Sequence, residues 1–149
     1  MKLPARLLMF AVVVALVPVQ SPAQSPPAAA PPLRSMVVDW QALAPVRTPT
    51  GERRLAFDAA TATLDRLHGH ITTLNPGENT GPLHRHPQEE LVIIKEGTIE
   101  VNIDGRRQLA GPGSMIFFAV NENENMTNTG ATPATYIVLQ WFTPLTPRK

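Results

Sequence analysis

Three features of the sequence predict an all-β fold, a small antiparallel β-barrel. Short runs rich in apolar and β-branched residues recur along the chain, turn-forming residues break them at short intervals, and no convincing helical apolar period appears beyond the N-terminal stretch. The weakest case against helix is residues 55–67, where Ala59-Ala60-Thr61-Ala62-Thr63 sustains no 3.6-residue period.

The strand-like runs are residues 36–40, 53–58, 67–74, 90–95, 98–103, 114–120 and 135–142. Residues 67–74 end at Asn75-Pro76-Gly77, where proline presets one dihedral and glycine accepts the other. Gly97 stops the run 90–95. In 98–103 the alternation places Ile99, Val101 and Ile103 on one face and Glu100 and Asn102 on the other, and Asp104-Gly105 then signals a two-residue hairpin. Gly111-Pro112-Gly113 precedes 114–120, and Asn128-Thr129-Gly130 precedes the last run. Parity assigns Val92, Ile94, Ile99, Val101, Ile103 and Phe117 to the core, with Met115 and Met126 filling gaps and Trp40 and Trp141 packing near the barrel ends.

Of the 149 residues, 1–23 read as a secretory signal. Lys2 and Arg6 precede an uncharged apolar run at 7–17, and Ser21-Pro22-Ala23 supplies small residues for cleavage. The run falls short of the roughly 20 apolar residues that span a bilayer. A secreted or periplasmic product, with no stable membrane insertion after cleavage, is expected. Residues 24–36, rich in Pro, Ala, Ser and Gln, read as a flexible tether, which leaves 37–149 as the folded domain.

Loss of Lys2 and Arg6 takes the 13 basic residues to 11 against 12 acidic ones, and no basic patch with interleaved aromatics appears, which argues against nucleic acid as a partner. The chain has no cysteine, so any metal must be held by nitrogen and oxygen.

Histidines and carboxylates concentrate in His84-Arg85-His86-Pro87-Gln88-Glu89-Glu90. Residues two apart on a strand share a face, so His84 and His86 present two imidazoles side by side. Glu90 has the same parity and begins the next run, whereas Glu89 points away. Two imidazoles and a carboxylate fill three positions of an octahedral ion and leave others open. His68 and His70 also share a face; His70 is a candidate for the pocket wall, although a partly buried, hydrogen-bonded strand histidine is the simpler reading.

The chain resembles the cupin family at this point. The first motif of that family reads here as Gly77…His84-Arg85-His86…Glu90…Gly97, and the second as Gly105…Gly111-Pro112-Gly113…Asn128-Thr129-Gly130, with the resemblance extending over about residues 70–142. It implies a jelly-roll-like antiparallel barrel, a divalent metal ion (Mn, Fe, Ni or Zn) and a small-molecule ligand or substrate. The chain departs from the pattern where the family has its third histidine, a position held here by Glu124. The implied ligands are then His84, His86, Glu90 and Glu124. A second carboxylate shifts preference toward harder ions such as Mn²⁺ or Fe²⁺. The polar run Asn121-Glu122-Asn123-Glu124-Asn125 equally reads as a solvated loop, and that reading is favoured here.

Three functions fit. One is a metal-dependent enzyme of oxygenase (including dioxygenase), isomerase or lyase type, with Glu90, Glu124 or His70 as the available bases. The others are a non-catalytic periplasmic ligand-binding module and a barrel with a vestigial site. The apolar run 36–40, set apart by the loop with Pro45 and Pro49, is expected to leave its own barrel and pair with a second copy as a homodimer.

Overall fold

The computed structural model describes residues 30–147. The signal segment 1–23 and residues 24–29 of the tether lie outside the described residues. Nine strands form: β1 (Val46–Thr48), β2 (Gly51–Ala59), β3 (Arg66–Leu74), β4 (Glu89–Glu96), β5 (Ile99–Ile103), β6 (Arg106–Ala110), β7 (Met115–Phe118), β8 (Glu124–Asn128) and β9 (Ala134–Phe142). A single 3₁₀ turn, Trp40–Ala42, is the only helix among the described residues. The strands make two antiparallel sheets, one of six in the order β1-β2-β3-β9-β4-β7 and one of three in the order β6-β5-β8. This is the antiparallel all-β class that the short strands and turn spacing predict, in the jelly-roll-like form that the family resemblance implies.

The inward face of the large sheet is organised in cross-strand rows, because directly opposed residues share a face. One row runs Asp58, His68, Gln140, Glu90, Phe118, and another runs Arg53, Thr72, Tyr136, Ile94. The small sheet answers with Ile99 opposite Asn128, Val101 opposite Met126 and Ile103 opposite Glu124. The apolar core gathers between the sheets around Leu74, Val92, Ile94, Ile99, Phe118 and Val138. Full burial of each such side chain stabilises by about 1.5–3 kcal/mol.

Two motif residues shape the closed end of this core. Gly97 turns the chain from β4 into β5 at φ +85°, and a Cβ there would lie 2.5 Å from the Ala134 Cα, so only glycine fits. Asn128 is fully buried; its amide donates to the Leu74 and Thr132 carbonyls at 3.0 and 2.9 Å, and its Oδ1 accepts from the Gly130 N–H. The Asp104-Gly105 hairpin forms as expected between β5 and β6, both residues having positive φ.

Several expectations are corrected. Residues 36–39 form no strand, and Trp40 begins the 3₁₀ turn, where Asp39 Oδ1 accepts from the Gln41 N–H at 2.9 Å. Met36 and Val37 are 55% and 97% exposed. The tether is not wholly free, since the Leu33 N–H donates to the Ala60 carbonyl at 2.8 Å. Phe117 is 51% exposed and stacks on Trp141 outside the sheet, while Ile116 and Phe118 take the core positions. The parity carried forward from β5 fails there because β6 and two turns intervene. β1, β6 and β8 carry few large apolar residues, so no strand-like run marks them in the sequence.

Candidate metal centre

Glu124 is the first residue of β8 and is 3% exposed, which overturns the solvated-loop reading. The chain before β4 runs antiparallel beside it. His84 and Glu124 exchange both backbone hydrogen bonds, at 3.1 and 2.7 Å, and the Asn121 N–H donates to the His86 carbonyl at 2.8 Å. Opposed residues of such a pair share a face, so the His84 and Glu124 side chains meet, and His86 joins two residues on.

The Nε2 atoms of His84 and His86 lie 2.9 and 3.3 Å from the same Glu124 oxygen, Oε1. The rings are set edge to face, with centroids 4.8 Å apart. One donor atom from each of the three residues falls within 4.8 Å of the others. His84 Nδ1 lies 2.9 Å from the Pro82 carbonyl, which accepts only, so the proton of the neutral ring sits on Nδ1 and Nε2 offers its lone pair to the centre. Glu124 Oε2 is buried with no hydrogen-bond partner. An unpartnered buried carboxylate oxygen is costly, and a cation satisfies it. The donor set and the orphaned oxygen thus fit a divalent ion.

Glu90 is buried in the same cavity but falls outside that group of three. Its carboxylate accepts from the Gln140 amide at 2.5 Å. Burial pushes the Glu90 carboxyl above its ordinary range; the Gln140 hydrogen bond works against this, and the charge of Glu124 adds to it. Glu89 points away as parity requires, accepting from the Trp141 indole N–H at 2.7 Å.

The cavity has a volume of about 360 Å³ and also receives His70, Arg53 and Tyr136. Burial raises the Tyr136 phenol well above its ordinary value. No motif in the sequence marks Arg53; it lies on β2, next to the edge strand, and only its parity with Leu55 suggests a face. A second hollow, of about 560 Å³, lies between Arg66, Phe142 and Pro147 and shares the His86 and Gln140 wall.

Fold and site together define a small all-β protein that opens a histidine–carboxylate cluster into an internal cavity. The cupin domain model matches residues 70–140, which supports a single-domain protein of the cupin superfamily. No curated protein matches it. Among solved structures, it is similar to an RmlC-like cupin from Shewanella frigidimarina (16% identity, 75% of this chain and 95% of that one, TM-score 0.61). It is also similar to a predicted oxalate decarboxylase from Thermotoga maritima (22% identity, 72% and 99%, TM-score 0.58). A third is the polyketide cyclase RemF from Streptomyces resistomycificus (21% identity, 72% and 80%, TM-score 0.60). At these identities the likeness is one of fold.

Proposed function

We propose that this chain is an exported cupin that holds one divalent ion through His84, His86 and Glu124 and acts as a metal-dependent enzyme on a small, oxygen-rich substrate. The observation that carries this reading is the convergence of two imidazole Nε2 atoms on a buried carboxylate whose second oxygen has no partner. Glu90, held by Gln140 in the same cavity, is the fourth candidate ligand. A bound divalent ion supplies Lewis-acid polarisation of a substrate oxygen. Pro82 fixes the His84 tautomer, the β8 ladder holds Glu124 rigidly, and the apolar core beneath excludes water from one side of the cavity. The similar folds include a predicted oxalate decarboxylase and a polyketide cyclase, in keeping with an oxygen-rich substrate.

Metal analysis of protein purified without added metal tests this reading. One equivalent of Mn, Fe, Ni or Zn is expected, and turnover on a panel of small oxygen-rich substrates should be lost to a chelator and restored by the ion. A protein that binds no divalent ion contradicts it. Export belongs to the same reading and predicts that the mature protein starts near residue 24, read by N-terminal sequencing. A homodimer joined through the exposed Met36 and Val37 completes it; light scattering at micromolar concentration showing a monomer would exclude a tight dimer.

A further inference from the structure

We propose that Arg53, held in place by His68 and His70, is the anion subsite of this cavity, and that its ligand is a small organic molecule with a carboxylate at one end and an oxygen donor at the other. The second half of that statement rests on the metal reading above; the first does not.

Arg53 Nη2 lies 2.7 Å from His68 Nε2 and 3.1 Å from His70 Nδ1. A guanidinium only donates, and one such nitrogen carries two protons, so both ring atoms accept. Both rings are then neutral, in keeping with burial, which lowers His68 and holds His70 at about 3. Neutral rings orient the guanidinium without compensating its charge. The nearby carboxylates do not reach Arg53: Asp58 is bidentate to Arg66 at 2.5 and 2.7 Å, with its Oδ2 also 3.3 Å from His68 Nδ1, and Glu52 pairs with Arg54 at 2.9 Å. Among the described residues Arg53 makes no ion pair, and its Nε and Nη1 donate to no protein atom.

This oriented, uncompensated cation is exposed at the rim of the cavity whose other wall holds His84, His86 and Glu124. Guanidinium groups bind carboxylates through charge-assisted hydrogen bonds, stronger than neutral ones. Among the described residues Arg53 is the only lysine or arginine lining the cavity, and Thr48, Thr50, Thr72, Thr80 and Tyr136 offer hydroxyls. One cation with hydroxyl neighbours suits a monoanionic carboxylate better than a dianionic phosphate.

The test uses glycolate, its neutral counterpart glycolamide and inorganic phosphate as probes of the mature, metal-loaded protein, by calorimetry and by the ring ¹⁵N signals of labelled histidine. Glycolate should bind and shift the His70 ring, and Arg53→Gln should weaken it by about tenfold or more while leaving metal content and glycolamide binding unchanged. Arg53→Lys should recover part of the affinity. In the His84→Ala/His86→Ala protein, glycolate should still shift the His70 ring, more weakly, and Arg53→Gln should abolish that shift. Glycolate binding unaltered by Arg53→Gln would overturn the subsite and leave the metal reading standing. Persistence of the His70 shift in a protein that never takes up metal would do the reverse. Phosphate binding as tightly as glycolate would refute the carboxylate class.

Discussion

His68 and His70 share the spacing of His84 and His86, and His70, His84 and His86 all face one cavity, yet the two pairs meet opposite charges. The His84–His86 pair converges on the buried carboxylate of Glu124. The His68–His70 pair receives the guanidinium of Arg53, at 2.7 and 3.1 Å, on the two ring nitrogens that face each other, while Asp58 Oδ2 lies 3.3 Å from the other nitrogen of His68. A carboxylate beside two lone pairs attracts a cation, whereas a guanidinium occupies the lone pairs and repels one. The residue opposite each His-x-His pair therefore decides whether the pair suits a cation or scaffolds an arginine.

The largest effect should come from breaking the first pair. His84→Ala or His86→Ala removes one of few ligands and should weaken metal binding by at least tenfold, since loss of a mere outer-shell partner costs about 10–100-fold. His68→Ala and His70→Ala should leave metal stoichiometry at one. Competition with a chromogenic chelator reads all four variants, and full retention by both His84→Ala and His86→Ala would move the site elsewhere.

Glu124→Ala comes next. As a ligand, its loss should cost about tenfold or more, whereas a remote carboxylate would change affinity only by a small screened term. Glu124→His should keep the ion and raise affinity for Ni²⁺, Cu²⁺ or Zn²⁺, because imidazole suits those ions.

A smaller effect separates the pairs by pH. His70 is held at about 3 against an ordinary value of 6.5, chiefly by burial and then by the charge of Arg53. Between those values the unfolded chain binds a proton that the folded one refuses, so stability is full above about pH 6.5 and declines as pH falls toward 3. The Asp58 carboxyl, held at about 2 mainly by its Arg66 hydrogen bond, contributes stability above its ordinary 3.8 that is lost only below that pH. Thermal midpoints measured between pH 4.5 and 6.5 should therefore fall with pH in the wild type and fall less in His70→Asn. Equal slopes would mean that His70 is not buried as a neutral ring.

Much of this was legible from residue order. The strand period exposed Ile99, Val101, Val92 and Ile94 as core, and the two-residue spacing placed His84 beside His86. Glu124 was obscured because its strand reads Glu-Asn-Met-Thr-Asn, with inward positions filled by Glu124, Met126 and Asn128 and so no apolar alternation to find. Inward polar residues are recognisable only once their partners are known: Asn128 satisfies two carbonyls, and Glu124 faces two imidazoles. The expected strand at 36–40 failed for the complementary reason, since Met36 and Val37 find no ladder to join and a local Asp39 cap takes over. Arg53 was invisible because its role depends on β2 pairing with β3, which sets it beside Thr72 and within reach of both histidines.

The chain has four histidines, two in each pair, so one measurement weighs them together. Protein labelled with ¹⁵N-histidine, stripped of metal and titrated with diamagnetic Zn²⁺, should show the Nε2 signals of His84 and His86 moving to their metal-bound positions and saturating at one equivalent. Those of His68 and His70 should keep the neutral tautomers set by Arg53. Metal-bound shifts on His68 or His70, or no saturable shift on His84 and His86, would contradict the assignment of the centre to His84, His86 and Glu124.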